Sequence, residues 1–229
     1  MVHLLDRLEL LIQKENVEKI KKLHILVVGL GGVGGYTVES LVRSGVGEII
    51  LVDHDVVNES NKNRQIIAVD DTIGHKKVEA FQERIASISK DCHVIGMDAF
   101  LNPENISLLN SYKIDYIVDA CDTISTKQAL ILYSLEHKIP LISSMGTGNR
   151  LDPSQLEITT LSKTQYDPIA KKLRKFVRDN QIKDKITVVC SREQPISVEG
   201  RTIASCSFVP SVAGLLITSH IIRTIIGKN

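Results

Sequence analysis

The sequence predicts an α/β protein with a Rossmann-like, mostly parallel sheet, helices on both faces and a C-terminal annex that returns to the sheet. Short apolar runs alternate with helical patterns through the first two thirds of the chain, and a glycine-rich turn follows the first run, Ile25 to Val28. Near-continuous apolar strands are typical of parallel strands covered by helices on both faces.

The predicted elements follow one another in a regular order. After the first strand, the predicted strands are "EIILVD", "CHVIGMD", "YIVDA", "IPLISSMG", "LEITTLSK" and "ITVVCSR". Six helices are predicted. The first follows the glycine turn, the second covers about 74–89, and the third begins after Asn102-Pro103. The fourth covers 125–137, the fifth begins at Asp167-Pro168, and the sixth is the long C-terminal helix. Strand–helix alternation of this kind produces parallel neighbours.

Length and composition favour one domain, residues 1–229, with an N-terminal helical segment (1–22), a nucleotide-binding core (23–147) and an annex (148–229). Hydrophobic residues make up 43% of the chain, enough for a sizeable core. The 28 basic and 27 acidic residues nearly balance, so a nucleic-acid partner would be met by a local patch.

The cysteines and the chain ends favour a cytoplasmic protein that does not enter a membrane. Cys92, Cys121, Cys190 and Cys206 form no C-x-x-C pair, which argues against a zinc ribbon or a secreted disulfide framework. The N-terminus lacks the apolar core of a signal peptide. The apolar tail 212–226 is predicted to be too short to span a bilayer. Cys206, before the proline expected to start the last helix, is interpreted as a packed thiol.

The turn "GLGGVG" is typical of a dinucleotide-binding unit. Gly29, Gly31 and Gly34 have the G-x-G-x-x-G spacing, with Gly32 between them, and the helix that follows presents free N–H groups to a phosphate. Asp53 ends the next strand 19 residues past Gly34, where a carboxylate can accept from ribose hydroxyls. On this turn alone, an NAD-dependent dehydrogenase is the first interpretation.

The loop after Asp53 changes that interpretation. The loop contains polar and charged residues that a dehydrogenase does not need, Asp55, Asn61, Arg64 and Gln65. Lys77 follows near the start of the next helix. An arginine and a lysine close to a triphosphate would neutralise the charge that develops during phosphoryl or nucleotidyl transfer. The loop therefore favours ATP over NAD.

Two acidic residues follow the strand "YIVDA". Asp119 and Asp122 are placed at the carboxyl end of that strand, where ligands bind in open α/β sheets. One or both carboxylates could hold Mg²⁺ on the phosphates of ATP.

Four stretches, "GLGGVG", "VDHDVVNESNKNRQ", "GHKKVEA" and "VDACD", resemble the adenylate-forming ThiF/MoeB/HesA group of the ubiquitin-activating-enzyme-like superfamily. The resemblance implies ATP as cofactor, a homodimer, and adenylation of a carboxylate. It implies that Asp53 binds ribose, that Asp122 is the Mg²⁺ ligand, and that Arg7 reaches the ATP of the partner subunit. It also implies a phosphate site lined by Asn61, Arg64, Gln65 and Lys77.

The stretches "LSKTQYDPIAKKLRKFVRDNQI" and "SFVPSVAGLLI" resemble a narrower branch, the tRNA threonylcarbamoyladenosine dehydratases. This resemblance implies ATP-dependent cyclisation of threonylcarbamoyladenosine in tRNA. Two alternatives remain open: adenylation of the C-terminal glycine of a ubiquitin-like sulfur carrier, and a non-catalytic or NAD-linked Rossmann protein that only binds a nucleotide. A sulfurtransferase-type protein partner also remains open.

A basic helix is predicted from Pro168, with Asp167 as its N-cap. Its apolar stripe comprises Ile169, Leu173, Phe176 and Val177, and its cations Lys171, Arg174, Lys175 and Arg178 share another face. That face is either simply solvated or a ridge that contacts the phosphates of tRNA.

Overall fold

A seven-stranded sheet forms the centre of the protein, and the computed structural model describes residues 4–200 and 203–228. The strands are β1 (His24–Val28), β2 (Glu48–Asp53), β3 (His93–Asp98), β4 (Tyr116–Asp119), β5 (Leu141–Ser144), β6 (Leu156–Thr160) and β7 (Thr187–Ser191). Their order is β3-β2-β1-β4-β5-β7-β6. Among these seven strands of the described residues, β6 and β7 are the one antiparallel pair. The mostly parallel α/β fold, with a C-terminal part that returns to the sheet, is confirmed.

Helices cover both faces of this sheet. They are α1 (Asp6–Ile12), α2 (Lys14–Ile20), α3 (Gly34–Arg43), α4 (Lys77–Ile88), α5 (Ile124–His137), α6 (Pro168–Asp179) and α7 (Phe208–Ile225). Side chains alternate along a strand, so Ile25 and Val27 join the core beneath α3, α4 and α7, whereas Leu26 and Val28 join the core beneath α5 and α6. β1 is therefore apolar on both faces, as are its neighbours β2 and β4.

The order of the strands places a crevice at one edge of the sheet. The chain moves outward from β1 to β2 and β3, and then crosses to β4 on the other side of β1. Val28, at the end of β1, is in register with Val52 of β2 and with Asp119 of β4. The carboxyl ends of these three strands are thus level, and ligands bind at such a switch point in open α/β sheets.

Two predicted helices are shorter than their sequence patterns. The helix predicted from about residue 74 begins at Lys77 in the structure. The residues before it are held in other contacts, because the Gly74 N–H donates to the Val57 carbonyl (2.8 Å) and Val56 pairs with Lys76 in an isolated bridge. The segment after Asn102-Pro103 forms a 3-10 helix, Ile106–Ser111. These differences place Lys77 at a helix start beside the polar loop.

The last helix begins earlier than predicted, at Phe208 and not at Pro210. Its 18 residues have a mean hydropathy of 1.4, and among the described residues it is the one helix long and apolar enough to cross a membrane. The prediction that this tail is too short to span a bilayer was therefore wrong on length. The helix packs on α3: a side chain at Gly214 would overlap the Val33 carbonyl, and Thr37 Oγ1 donates to the Gly214 carbonyl (3.2 Å).

The start of α6 is as predicted. Asp167 Oδ1 accepts from the Ala170 N–H (2.8 Å), and Pro168 is the first helical residue. The other Asp167 oxygen accepts from the Gly146 N–H (2.9 Å) and pairs with Arg150 (3.4 Å). The cap thus joins α6 to the segment after β5.

Candidate nucleotide-binding and active site

The glycine turn joins β1 to α3 without room for side chains at its two ends. Gly29 has φ +90°, and a Cβ there would lie 2.7 Å from the Ala120 carbonyl oxygen. A Cβ on Gly34 would overlap the Gly29 carbonyl. At Gly31, in contrast, the nearest atom to such a Cβ is Gln65 Nε2 at 3.8 Å. The ends of the turn are closed by packing, while its middle leaves space for a ligand to approach the backbone.

Asp53 holds this turn against the neighbouring strand. It is the last residue of β2 and is 8% exposed. One carboxylate oxygen accepts from the Leu30 N–H (2.6 Å), and the other accepts from the Asp55 N–H (2.9 Å). A carboxylate has about four acceptor positions, so capacity remains for a ribose hydroxyl. Asp53 therefore shapes the turn in addition to its predicted binding role.

Lys77 begins α4 as a nearly buried cation. Its Nζ lies 2.8 Å from Asp55 Oδ2 and 3.9 Å from Asp53 Oδ1. Partial burial raises the pKa of Asp55, but the hydrogen bond and the charge of Lys77 outweigh it and hold that pKa below its usual range. Asp55 is half exposed, so a phosphate could replace it as the partner of Lys77.

The polar loop after β2 brings Asn61, Arg64 and Gln65 to the carboxyl edge of the sheet. Asn61 Oδ1 accepts from the Asn58 N–H (3.0 Å), and the Asn61 carbonyl accepts from the Gln65 N–H (2.8 Å). Gln65 Oε1 is the one buried side-chain oxygen or nitrogen without a hydrogen-bond partner in the described part of the chain. Because the Gln65 side chain faces Gly31, a donor on a bound ligand would satisfy this oxygen.

Arg64 points toward its own loop. Its Nη1 donates to the Ser60 carbonyl (2.9 Å) and to Asn63 Oδ1 (2.7 Å). The side chain is half exposed, and neither acceptor is charged. A guanidinium in this position has donors left for phosphate oxygens.

Asp119 is not available to a ligand in this arrangement. It is fully buried, and Lys127 Nζ lies 3.0 and 3.1 Å from its two oxygens. Ser143 Oγ also donates to Asp119 (2.5 Å), and Lys127 donates to the Ser144 carbonyl (2.8 Å). The hypothesis that Asp119 holds Mg²⁺ or contacts the nucleotide is therefore corrected: Asp119 joins β4, β5 and α5. The sequence signal for Lys127 was a single lysine in the first turn of α5.

Asp122 lies in the loop between β4 and α5 and is exposed. Among residues 4–200 and 203–228, the one hydrogen bond to its carboxylate comes from Thr123 Oγ1 (3.4 Å). A carboxylate left this free fits Mg²⁺, which binds through one or two carboxylates together with phosphate oxygens. The described residues also contain one group of three potential metal ligands, Asp53, His54 and Asp55, but Lys77 already pairs with Asp55.

A segment from the C-terminal part, residues 203–207, lies beside the site. Asn63 Nδ2 donates to the Ser205 carbonyl (3.1 Å), and Asn149 Oδ1 accepts from the Ala204 N–H (2.7 Å). A Cβ on Gly32 would lie 3.1 Å from Pro210, at the start of α7. These contacts join residues distant in the chain, so no local sequence pattern predicts them.

The cysteines have the character of packed thiols. Burial raises the pKa of Cys92 and of Cys190 to about 11, and it also raises the pKa of Cys121. These three thiols stay protonated near neutral pH and are poor nucleophiles. Cys206 is half buried, with its Sγ 3.6 Å from the Arg150 carbonyl.

Arg7 lies far from the site of its own chain. It is exposed on α1, and the neighbouring Leu5 packs on Gly45, which lies between the end of α3 and the start of β2. That position is the amino edge of the sheet, whereas Lys77 lies at the carboxyl edge. Arg7 and Lys77 therefore lie at opposite edges of the sheet, and the role of Arg7 stays a prediction.

The structure reduces the predicted basic face of α6 to three residues. Lys171, Lys175 and Arg178 are exposed, and we name them the basic ridge. Arg174 is half buried and donates to the carbonyl (2.9 Å) and hydroxyl oxygens of Thr164. Its inclusion in the phosphate-contacting face is corrected, because its guanidinium is used inside the protein.

A tight glycine turn before a helix, a carboxylate at the end of the next strand and two cations beside them define a nucleotide-binding α/β protein with a site for a polyphosphate. Residues 5–229 match the ThiF family, and the chain belongs to it. The resemblance inferred from the sequence is thereby confirmed.

Similar proteins share most of the chain. A tRNA threonylcarbamoyladenosine dehydratase of Bacillus subtilis is 41% identical over 99% of this chain and 96% of its own length. The crystal structure of the E. coli tRNA N6-threonylcarbamoyladenosine dehydratase TcdA with ATP superimposes with a TM-score of 0.90, at 35% identity over 96% of this chain and 92% of TcdA. The TcdA complex with AMP also gives 0.90, at 33% identity over 100% and 98%.

Replacement of Lys127 by Met should lower the free energy of unfolding by about 3 kcal/mol or more, because it leaves the buried Asp119 carboxylate without its cation. Urea denaturation measures the change. The double variant Asp119→Asn/Lys127→Met should recover part of the loss, and Lys90→Met, on the surface, should change little. Wild-type stability in Lys127→Met would contradict the buried ion pair.

Proposed function

We propose that this protein uses ATP to activate the carboxylate of threonylcarbamoyladenosine in tRNA and then closes the cyclic product with net loss of water. The observation that carries the proposal is the similarity to the Bacillus subtilis dehydratase, which extends over nearly the full length of both chains. In contrast, the molybdopterin-synthase adenylyltransferase of Salmonella typhimurium is 30% identical over 73% of this chain and 65% of its own length. The sulfur-carrier alternative is therefore less well supported.

The chemistry has two steps. A carboxylate oxygen attacks the α-phosphorus of ATP, the bond to the β-phosphate oxygen breaks, and pyrophosphate leaves. The ureido nitrogen then attacks the activated carbonyl carbon, AMP departs with the former carboxylate oxygen, and the nitrogen loses its proton. Ring closure is intramolecular, so it is accelerated when the site holds the two groups close together.

The positions of the site residues fit this reaction. The N–H groups at the start of α3 and the open backbone at Gly31 would receive phosphate oxygens. Arg64 and Lys77 would offset the negative charge that grows on the α-phosphate and on pyrophosphate. Asp53 would accept from ribose, and Gln65 Oε1 would gain the donor it lacks.

Asp122 is the residue we assign to Mg²⁺. When bound, the ion would polarise phosphate oxygens and neutralise charge on the leaving pyrophosphate. Asp122 would fix that position, since no described side chain pairs with it as a cation. Asp119 and Lys127 would hold its loop in place from beneath.

Incubation of the purified protein with tRNA bearing threonylcarbamoyladenosine, ATP and Mg²⁺ tests the proposal. Mass analysis of the nucleosides should find a product lighter by one water, formed only when ATP is present. ATP–pyrophosphate exchange that depends on a ubiquitin-like sulfur carrier, without any change in the tRNA, would favour the alternative.

Arg64→Ala and Lys77→Ala should each reduce kcat/KM for ATP-dependent cyclisation by a factor that corresponds to about 3 kcal/mol of transition-state stabilisation. Both side chains lie in a loop or at a helix start, so the fold should persist, as circular dichroism can verify. Lys76→Ala, one residue before Lys77 and paired with Asp98 (3.0 Å), is the matched control. Wild-type turnover in either test variant would contradict the assignment of that cation.

We further propose a homodimer in which Arg7 completes the partner's site. A mixture of Arg7→Ala and Lys77→Ala subunits should regain part of the activity, because one of the two composite sites in a mixed dimer would contain both cations. Turnover is measured after subunit exchange, which is verified by native mass spectrometry. If the exchanged mixture is as inactive as its parents, Arg7 does not act across subunits.

The basic ridge should contribute to tRNA affinity through phosphate contacts. In Lys171→Ala/Lys175→Ala/Arg178→Ala, tRNA binding should weaken, and the slope of log affinity against log salt should fall by roughly 0.7 to 0.9 per lost contact. ATP affinity should not change. The control Lys14→Ala/Lys22→Ala/Lys90→Ala removes the same charge elsewhere. Equal effects in both variants would mean that only the overall charge matters, and not this surface.

A further inference from the structure

A cavity of about 850 Å³ lies at the amino edge of the sheet, the edge opposite the glycine turn. Tyr116, Leu141 and Thr187, the first residues of β4, β5 and β7, line it. The C-terminal ends of α5 and α7 complete its wall. We name it the basal cavity. Parallel strands of four or five residues separate it from the crevice by about 15 Å.

Four cations converge on the basal cavity: Lys138, Lys185, Arg223 and Lys228. Asp184 is the one acidic side chain among the lining residues that the structure describes. Arg223 Nε donates to the Lys228 carbonyl (3.0 Å), and no hydrogen bond or ion pair is found for the other three side chains within residues 4–200 and 203–228. The two helix ends contribute about half a negative charge each, so the cavity keeps a net positive charge of about two.

Tyr116 adds one hydrogen-bonding group to the lining of the basal cavity. The residue is only 3% exposed, and its hydroxyl has no hydrogen-bond partner among the described residues. Burial raises the pKa of this hydroxyl to about 12, so it remains a hydrogen-bond donor. The hydroxyl opens to the cavity, because Gln65 Oε1 is the one fully buried side-chain polar atom without a partner among the described residues, so a ligand there can accept its hydrogen bond.

The remaining walls are apolar. Leu135, Ile139, Pro140, Ile158 and Ile186 line the basal cavity between the cations and the sheet. Pockets for small molecules typically combine such walls with a few polar groups and measure about 300–1,000 Å³. The combination of surplus cations and apolar walls fits an anion that carries a flat, weakly polar group.

We propose that the basal cavity binds a small phosphate-bearing molecule of the size of a nucleoside monophosphate. Its phosphate lies among the four cations, and its base or another flat group lies on the apolar walls within reach of the Tyr116 hydroxyl. This site is separate from the glycine turn and does not depend on the function proposed above.

Calorimetric titration with uridine 5′-monophosphate, which lacks the adenine of ATP, tests the site on the complete protein. We expect one molecule bound per chain. Lys138→Glu/Lys185→Glu should weaken binding about tenfold or more, since it reverses two charges at the cavity. Tyr116→Phe should weaken it by about fivefold through the loss of one hydrogen bond. The control Lys22→Glu/Lys90→Glu makes the same change in net charge elsewhere, and thermal melting verifies that each variant folds.

The variants also locate the binding. Equal weakening in Lys138→Glu/Lys185→Glu and in the control would overturn the proposal, because it would indicate a diffuse attraction. Binding that is lost in Lys77→Ala but kept in both cavity variants would place the nucleotide at the glycine turn and would also overturn it. If uridine 5′-monophosphate does not bind at millimolar concentration while Lys138→Glu/Lys185→Glu lowers tRNA affinity, the cations serve RNA phosphates and the small-molecule site is rejected.

Discussion

The close approach of the glycine turn to the end of β4 is the constraint on which the rest of the site depends. Because positions 29 and 34 have no room for a side chain, α3 starts directly above β1, and its N–H groups open into the crevice. Asp53 then fixes the turn to β2 through the Leu30 N–H. With the turn fixed on both sides, the loop that carries Asn61, Gln65 and Arg64 can close over a defined backbone surface.

The buried pair of Lys127 and Asp119 stabilises the other side of the crevice. It connects the ends of β4 and β5 to the first turn of α5, and the loop with Asp122 spans this connection. Burying two charges is costly, and only the full set of hydrogen bonds from Ser143 and to the Ser144 carbonyl makes the arrangement tenable. The result is a rigid base beneath an exposed carboxylate, which suits a group that must hold a cation at a set position.

Local patterns predicted most of the fold and the family, whereas tertiary contacts decided what the sequence missed. The glycine spacing, the apolar runs and the Asp167 cap are read from a few neighbouring residues, and each was confirmed. Asp119 was assigned to the ligand because its partner, Lys127, lies eight residues further along the chain in a different element, α5. Buried lysines are also rare, so the pattern favoured an exposed side chain. Arg174 was assigned to the surface because helical spacing does not reveal Thr164. The roles of the remaining site residues stay predictions.

The contact of α7 with the glycine turn links the two ends of the chain. Gly214 packs on Val33, and Pro210 on Gly32, so the last helix forms part of the support for the first loop of the core. During synthesis on a ribosome, strands β1 to β5 can emerge and pair before that helix exists. The turn would then lack one wall until α7 has left the exit tunnel. Packing of α7 therefore completes the support of the glycine turn, and a nascent chain without that helix would hold the turn less firmly.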